Sequence, residues 1–165
     1  MSLRPARMID TPRLVELLIE SHAGSRYAGV VDVDAAYARK LIAQFIQRSP
    51  GSHDGGTMVA VVEDEGKIVG FVAGILDRVY HIGTKLAAND VFLVTTKGAP
   101  ARAARQLMAA YITWAQGVPD CAELRMSWTD ALPSGERIHK AYERMGFRHC
   151  GGIYTRDVER AEEAA

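Results

Sequence analysis

Apolar residues recur along this chain with two periods, and the points where the period changes mark its elements. Leu14, Leu17 and Leu18 set a helical rhythm after Thr11-Pro12, a capping side chain followed by proline at a first helical position. Gly24 ends that helix. Tyr37, Leu41 and Phe45 repeat at four-residue spacing between Asp34 and Arg48, which predicts a second helix. The stretch from Ser49 to Gly56 is turn chemistry throughout. Met58–Val62 and Ile68–Leu76 then flank an acidic, glycine-containing link and predict a hairpin, with Gly70 and Gly74 marking a bulge or a close backbone approach. Leu3–Arg7 is a candidate first strand, and Asp77–Ala88 is a polar connection containing His81. The segment Ser25–Val33 has no period and reads as a loop. In it, Arg26 and Tyr27 are candidates for substrate contact or for plain surface.

The central stretch is the strongest. Val91–Val94 is a continuous apolar run, as in a strand covered on both faces. Ala103, Leu107, Ala110, Tyr111 and Trp114 form one helical stripe that Gly117 and Pro119 stop. Cys121–Trp128 alternates and predicts a further strand. Ser134 caps a short helix with Glu136 in its first turn, and Ile138, Ala141, Tyr142 and Met145 form its buried face before Gly146 closes it. Phe147–Val158 reads as a last strand, and residues 159–165 as a frayed tail. The order is β-α-α-β-β-β-α-β-α-β. It implies an α+β fold with a mixed, mostly antiparallel sheet and helices on both faces, in one domain over residues 1–165.

Between the central strand and its helix lie Lys97, Gly98, Ala99, Ala101, Arg102, Ala103, Ala104 and Arg105. Small side chains there let a ligand approach the backbone, the first N–H groups of the helix point outward, and cations flank them. That is a site for a phosphorylated ligand. The plain alternative is a solvated, alanine-rich first turn. Pro100 suits that turn but removes one donor.

Charge narrows the partners. Twenty basic and twenty acidic residues cancel, so no overall field draws the chain to nucleic acid or an anionic membrane. An apolar share of 48% against 24% charged residues is that of a chain that folds round a core. Two cysteines, Cys121 and Cys150, make neither a disulfide framework nor a zinc site and read as structural thiols. Nothing has the pattern of a signal peptide or a membrane span, which makes a cytoplasmic protein the default. Neither a Gly-x-Gly-x-x-Gly nor a P-loop pattern is present, and no nucleophile elbow supports a Ser/His/Asp triad.

The segment Ser134-Gly-Glu-Arg-Ile-His-Lys-Ala-Tyr-Glu-Arg-Met-Gly-Phe147 resembles the late helix of GNAT-type N-acetyltransferases, which ends in Tyr-x-x-x-Gly-Phe; Tyr142, Gly146 and Phe147 fall on that pattern. The element order matches that family over nearly the full length. The central unit is similar to the family's acetyl-coenzyme A motif, Arg/Gln-x-x-Gly-x-Gly/Ala. With Ala104 on the final small residue, Arg102 takes the glycine position and Ala99 the Arg/Gln position, and Gly135 stands where an asparagine is usual.

The resemblance implies a cofactor site and a chemistry. The strand Val91–Val94 would splay from Glu123–Trp128, and the freed backbone of Phe92, Leu93 and Val94 would pair with the pantetheine arm. Backbone N–H groups of Ala99, Ala101, Arg102, Ala103 and Ala104 would hold the pyrophosphate, flanked by Lys97, Arg102 and Arg105. If that motif position needs a positive φ, Arg102 is strained there by about 1–3 kcal/mol. Acetyl would pass directly from acetyl-coenzyme A to a primary amine, with Tyr142 as general acid and an N–H near Leu93 or Val94 polarising the thioester carbonyl. Asp90 is the family-like base, working through water, against the reading of a solvated strand-end carboxylate. His81 and His139 are weaker candidates, and no metal is implied. The acceptor, a small-molecule or peptide amine, would sit against the first two helices and the His81 loop. A homodimer is compatible with the resemblance. The departures at Arg102 and Gly135 favour a second reading, a catalytically silent coenzyme A-binding or protein-interaction module, whereas the retained Tyr142 favours transfer.

Overall fold

A computed structural model of the chain describes residues 1–128, 131 and 135–156. Among these residues five strands form one sheet in chain order: β1 (Ser2–Pro5), β2 (Thr57–Asp64), β3 (Lys67–Arg78), β4 (Leu86–Thr95) and β5 (Cys121–Arg125). The first four pair antiparallel in succession, and β4 pairs parallel with β5. That parallel step requires a crossover, which α3 (Ala101–Gln116) supplies. The helices α1 (Thr11–His22) and α2 (Ala35–Gln47) follow β1, and α4 (Gly135–Arg144) follows β5. The expected α+β architecture is the one observed.

The alternation along β2 explains the layering. Met58, Ala60 and Val62 bury against the α3 face with Leu107 and Tyr111, whereas Val59 and Val61 bury on the other face with Leu14, Leu17, Ile42 and Phe45 of α1 and α2. Opposite sides of one strand thus build two cores, as period-2 side chains must when both faces of a sheet are covered.

Several boundaries differ from the sequence reading. Thr11 does not cap α1. The chain already turns helically over Met8–Asp10, which puts Asp10 at the cap and Thr11 inside the helix, its Oγ buried without a partner among the described residues. The Asp10 carboxylate instead accepts the Arg7 N–H at 2.7 Å and a fork from Arg4, whose guanidinium also binds Glu63. On α2 the sheet-facing stripe is Ala38, Ile42, Phe45 and Ile46, one residue out of phase with Leu41 and Tyr37, so Tyr37 is exposed. Asp34 caps that helix as its position suggests, accepting the Tyr37 N–H at 2.9 Å.

The polar connection is also shorter than its composition implies. Arg78↔Leu86 and Leu76↔Ala88 are sheet pairs, so Asp77–Arg78 and Leu86–Ala88 belong to strands. Residues 147–156 form no strand, and residues 148–156 are exposed, Ile153 and Tyr154 included. Cys150 is among them, which corrects its reading as a buried structural thiol; Cys121 is half-buried. Ser134, proposed as a cap, and the tail from 157 lie outside the described residues.

Candidate active site

The site begins where β4 loses one of its neighbours. Parallel pairing with β5 runs from Leu86↔Cys121 to Asn89↔Arg125, and β5 ends there. Among the described residues, Asp90–Thr95 continues with β3 alone. The β3–β4 register shifts at the same place: Ala73 faces Phe92 and Gly74 faces Asp90, which leaves Val91 as the extra residue of a bulge.

Gly74 makes this geometry possible. A Cβ on it would lie 2.6 Å from Cε2 of Tyr111, so the α3 ring packs directly on the β3 backbone. From there the Tyr111 hydroxyl donates to the Arg125 carbonyl at 2.8 Å, at the last residue of β5. One aromatic side chain thus ties the crossover helix to the fork.

Beyond the fork, Asp90 Oδ1 accepts the N–H of Ser127 at 2.8 Å and its Oγ–H at 2.9 Å. Tyr142 of α4 donates its hydroxyl to the Ser127 carbonyl at 3.1 Å. Burial pushes the Asp90 carboxyl above the ordinary carboxylate range, against the two Ser127 bonds that lower it. Burial, and then the Asp90 charge, push the Tyr142 phenol up as well. A phenol so placed keeps its proton at neutral pH and can donate it. The short helix that carries Tyr142 ends as its sequence implies: Gly146 takes φ 86°, and the Phe147 N–H returns to the Tyr142 carbonyl at 3.1 Å.

Asp90, Phe92, Leu93, Val94 and Tyr142 share one cavity of about 530 Å³ on the α1–α2 side of the sheet. The residues proposed for phosphate contact lie past the end of β4, outside that cavity. There Gly98 takes φ 87°, and Arg102 sits in regular helix with no positive φ, so the expected strain at Arg102 does not arise. The Ala99 N–H already donates to Thr96 and the Ala103 N–H to Pro100. The N–H groups of Ala101 and Arg102 have no partner among the described residues. Lys97, Arg102 and Arg105 are all exposed, and the Arg102 guanidinium comes no closer than 3.9 Å to Asp64.

His81 is exposed in the turn between β3 and β4 and does not line the cavity. His139 packs against Trp128 with the rings tilted by 40° and their centroids 5.3 Å apart, and it lies 3.4 Å from Glu143. Among the described residues no group of His, Cys, Asp and Glu is arranged to hold a metal, and no helix is long and apolar enough to cross a membrane. Sequence reasoning missed Ser127, Tyr111 as the tie across the fork, and the cavity wall from His22, Tyr37 and Trp128. The alternation of Cys121–Trp128 hides that pairing stops at Arg125. Tyr37 gave no signal either, since its four-residue spacing to Leu41 and Phe45 places it on the buried stripe, whereas the structure exposes it.

A sequence model described as the acetyltransferase (GNAT) family matches residues 30–147. A search of curated proteins finds no match. Solved structures share the fold. A mutant of a Bacillus halodurans protein aligns with TM-score 0.73 at 17% identity, over 96% of this chain and 100% of its own. Glucosamine-6-phosphate N-acetyltransferase from Arabidopsis thaliana gives 0.67 at 12% identity, over 96% and 98%. A Trypanosoma brucei acetyltransferase gives 0.65 at 16% identity, over 95% and 99%.

Proposed function

The chain belongs to the GNAT acetyltransferase family, and from that premise we propose that it transfers acetyl from acetyl-coenzyme A to a primary amine held in the cavity beside Asp90. The observation that carries the proposal is the β4–β5 fork, with a half-paired strand on one side and a protonated phenol on the other.

The chain's own groups fit the cofactor. Past Asn89, β4 pairs among the described residues with β3 alone, which leaves its other edge for a peptide-like arm. Where β4 runs out, the N–H groups of Ala101 and Arg102, which have no partner among the described residues, open α3, with Lys97 and Arg105 exposed on the same segment. They would take the pyrophosphate, because N–H groups at a helix start bind anions. Acetyl-coenzyme A supplies an activated acyl group, transferred as the amine nitrogen forms a C–N bond, the C–S bond breaks, the amine gives up one proton and the departing sulfur takes one. In this reading Tyr142 would deliver the proton to sulfur. Asp90, through water, would accept the amine's proton. Its raised pKa brings it nearer to neutral pH, where a base is most effective. Backbone N–H at Leu93 or Val94 would polarise the acyl carbonyl. Residues 1–165 would act as one domain.

Calorimetric titration of acetyl-coenzyme A into the wild type and Arg102→Glu tests the cofactor site. Binding that weakens in the variant is expected, since the new carboxylate sits among the phosphates. Binding that the variant leaves unchanged would move the phosphates elsewhere. Absence of binding would refute the enzymatic reading, and binding without thiol release for any amine would favour the silent coenzyme A module.

A further inference from the structure

The cavity beside Asp90 has a one-sided chemistry. Its walls include Leu18, Leu41, Phe92, Trp128 and the exposed Tyr37. The carboxylates that line it are Asp34 and Asp90, and among the described lining residues there is no lysine or arginine. Arg26, beside the lining residue Tyr27, is turned onto that ring, with its guanidinium 5.0 Å from the centroid and donating to the Tyr27 hydroxyl at 2.9 Å. His22 is also engaged, its Nε2 lying 2.7 Å from the Val31 carbonyl.

Carboxylates and aromatic faces receive an ammonium group. A carboxylate or phosphate on the acceptor would enter the same space with no lysine or arginine among the described lining residues to meet it, and would lose hydration without return. We infer that the acceptor is a monoamine whose remaining surface is apolar, an arylalkylamine or alkylamine, and that the site rejects amino acids and sugar phosphates. This inference rests on the acetyl-transfer reading and narrows its substrate class. Asp34 lines the cavity while its Oδ1 caps α2, so the carboxylate is held in place by the helix it starts. The cavity, about 530 Å³, is within the usual range for a small-molecule site.

The test compares 2-phenylethylamine, phenylalanine and glucosamine 6-phosphate, first by calorimetric binding to the full chain and then by thiol release from acetyl-coenzyme A. Phenylethylamine should bind, and its kcat/KM should exceed that of phenylalanine at least about tenfold, since the two differ by an uncompensated carboxylate. Tyr37→Arg supplies the missing cation on an exposed helical position and should narrow that ratio. Phenylalanine or the sugar phosphate binding as tightly as phenylethylamine, or failure of phenylethylamine to bind, would overturn the inference. Selective binding of phenylethylamine without thiol release would uphold the pocket's preference and refute the transfer reading instead.

Discussion

Asp90 and Tyr142 hold the same residue from its two ends: the carboxylate takes the N–H and hydroxyl of Ser127, and the phenol donates to its carbonyl. The two proposed proton-handling groups are therefore joined through one serine just past the end of β5. A change at either group acts on the position of the other as well as on its own chemistry.

Tyr142→Phe removes the phenol proton and one of these bonds. We expect kcat to fall by about 10²–10⁴ while acetyl-coenzyme A affinity is kept. The wild-type rate should show no descending limb from this phenol below about pH 10, the ordinary tyrosine value, because burial and Asp90 raise it further. Steady-state kinetics across pH, beside calorimetry on both proteins, checks this. A variant with full activity would remove Tyr142 from the mechanism.

Asp90→Asn should show a pH-dependent stability difference of definite sign. Burial raises the folded pKa of Asp90, so its contribution to stability is fully present below the unfolded value of about 3.9 and is lost as pH rises through the folded value. The variant should therefore gain on the wild type as pH rises. Melting curves of both proteins at several pH values above about 4 would show it, and a gap that moves the other way would contradict the burial argument. Thiol release should fall in the variant throughout.

The Arg4–Asp10 pair has the opposite sign. Its hydrogen bond to Arg4 holds the Asp10 carboxyl below the ordinary range, so its contribution is present above the unfolded value and is lost as pH falls through the lowered one. Arg4→Met leaves Asp10 buried without its partner and should cost roughly 3 kcal/mol at neutral pH. Urea unfolding at neutral and acid pH should show the deficit shrink in acid.

Gly74→Ala pushes a methyl group into the Tyr111 ring, with 2.6 Å available. Destabilisation of about 1–3 kcal/mol is expected. Combining it with Tyr111→Leu should recover part of the loss, as coupled neighbours do. Strictly additive unfolding energies would show that the contact does not hold the bulge.

The sequence made the layers legible because burial leaves a period. Val59 and Val61 face one core, and Met58, Ala60 and Val62 the other. Gly74 was legible as a close approach, though the ring that meets it was not, since Tyr111 lies far along the chain. The fork was hidden for a similar reason. The alternation of β5 continues past Arg125, while its partner strand turns aside at Val91. Thr11 misled because a capping residue before proline looks the same whether or not the chain has already begun to turn. Arg102 looked strained only because a family position was assigned to it, whereas the left-handed turn is taken four residues earlier by Gly98.

The unequal pairing of β4 divides one strand into two kinds of backbone. Leu86–Asn89 lies between two strands, and among the described residues Asp90–Thr95 has β3 on one side only. Amides in the first part exchange with solvent only when the sheet itself opens, whereas those along the free edge of the second exchange without it. The strand is thus a rigid post at one end and an open edge at the other. A ligand laid along that edge would convert solvent-facing amides into protected ones without moving the post.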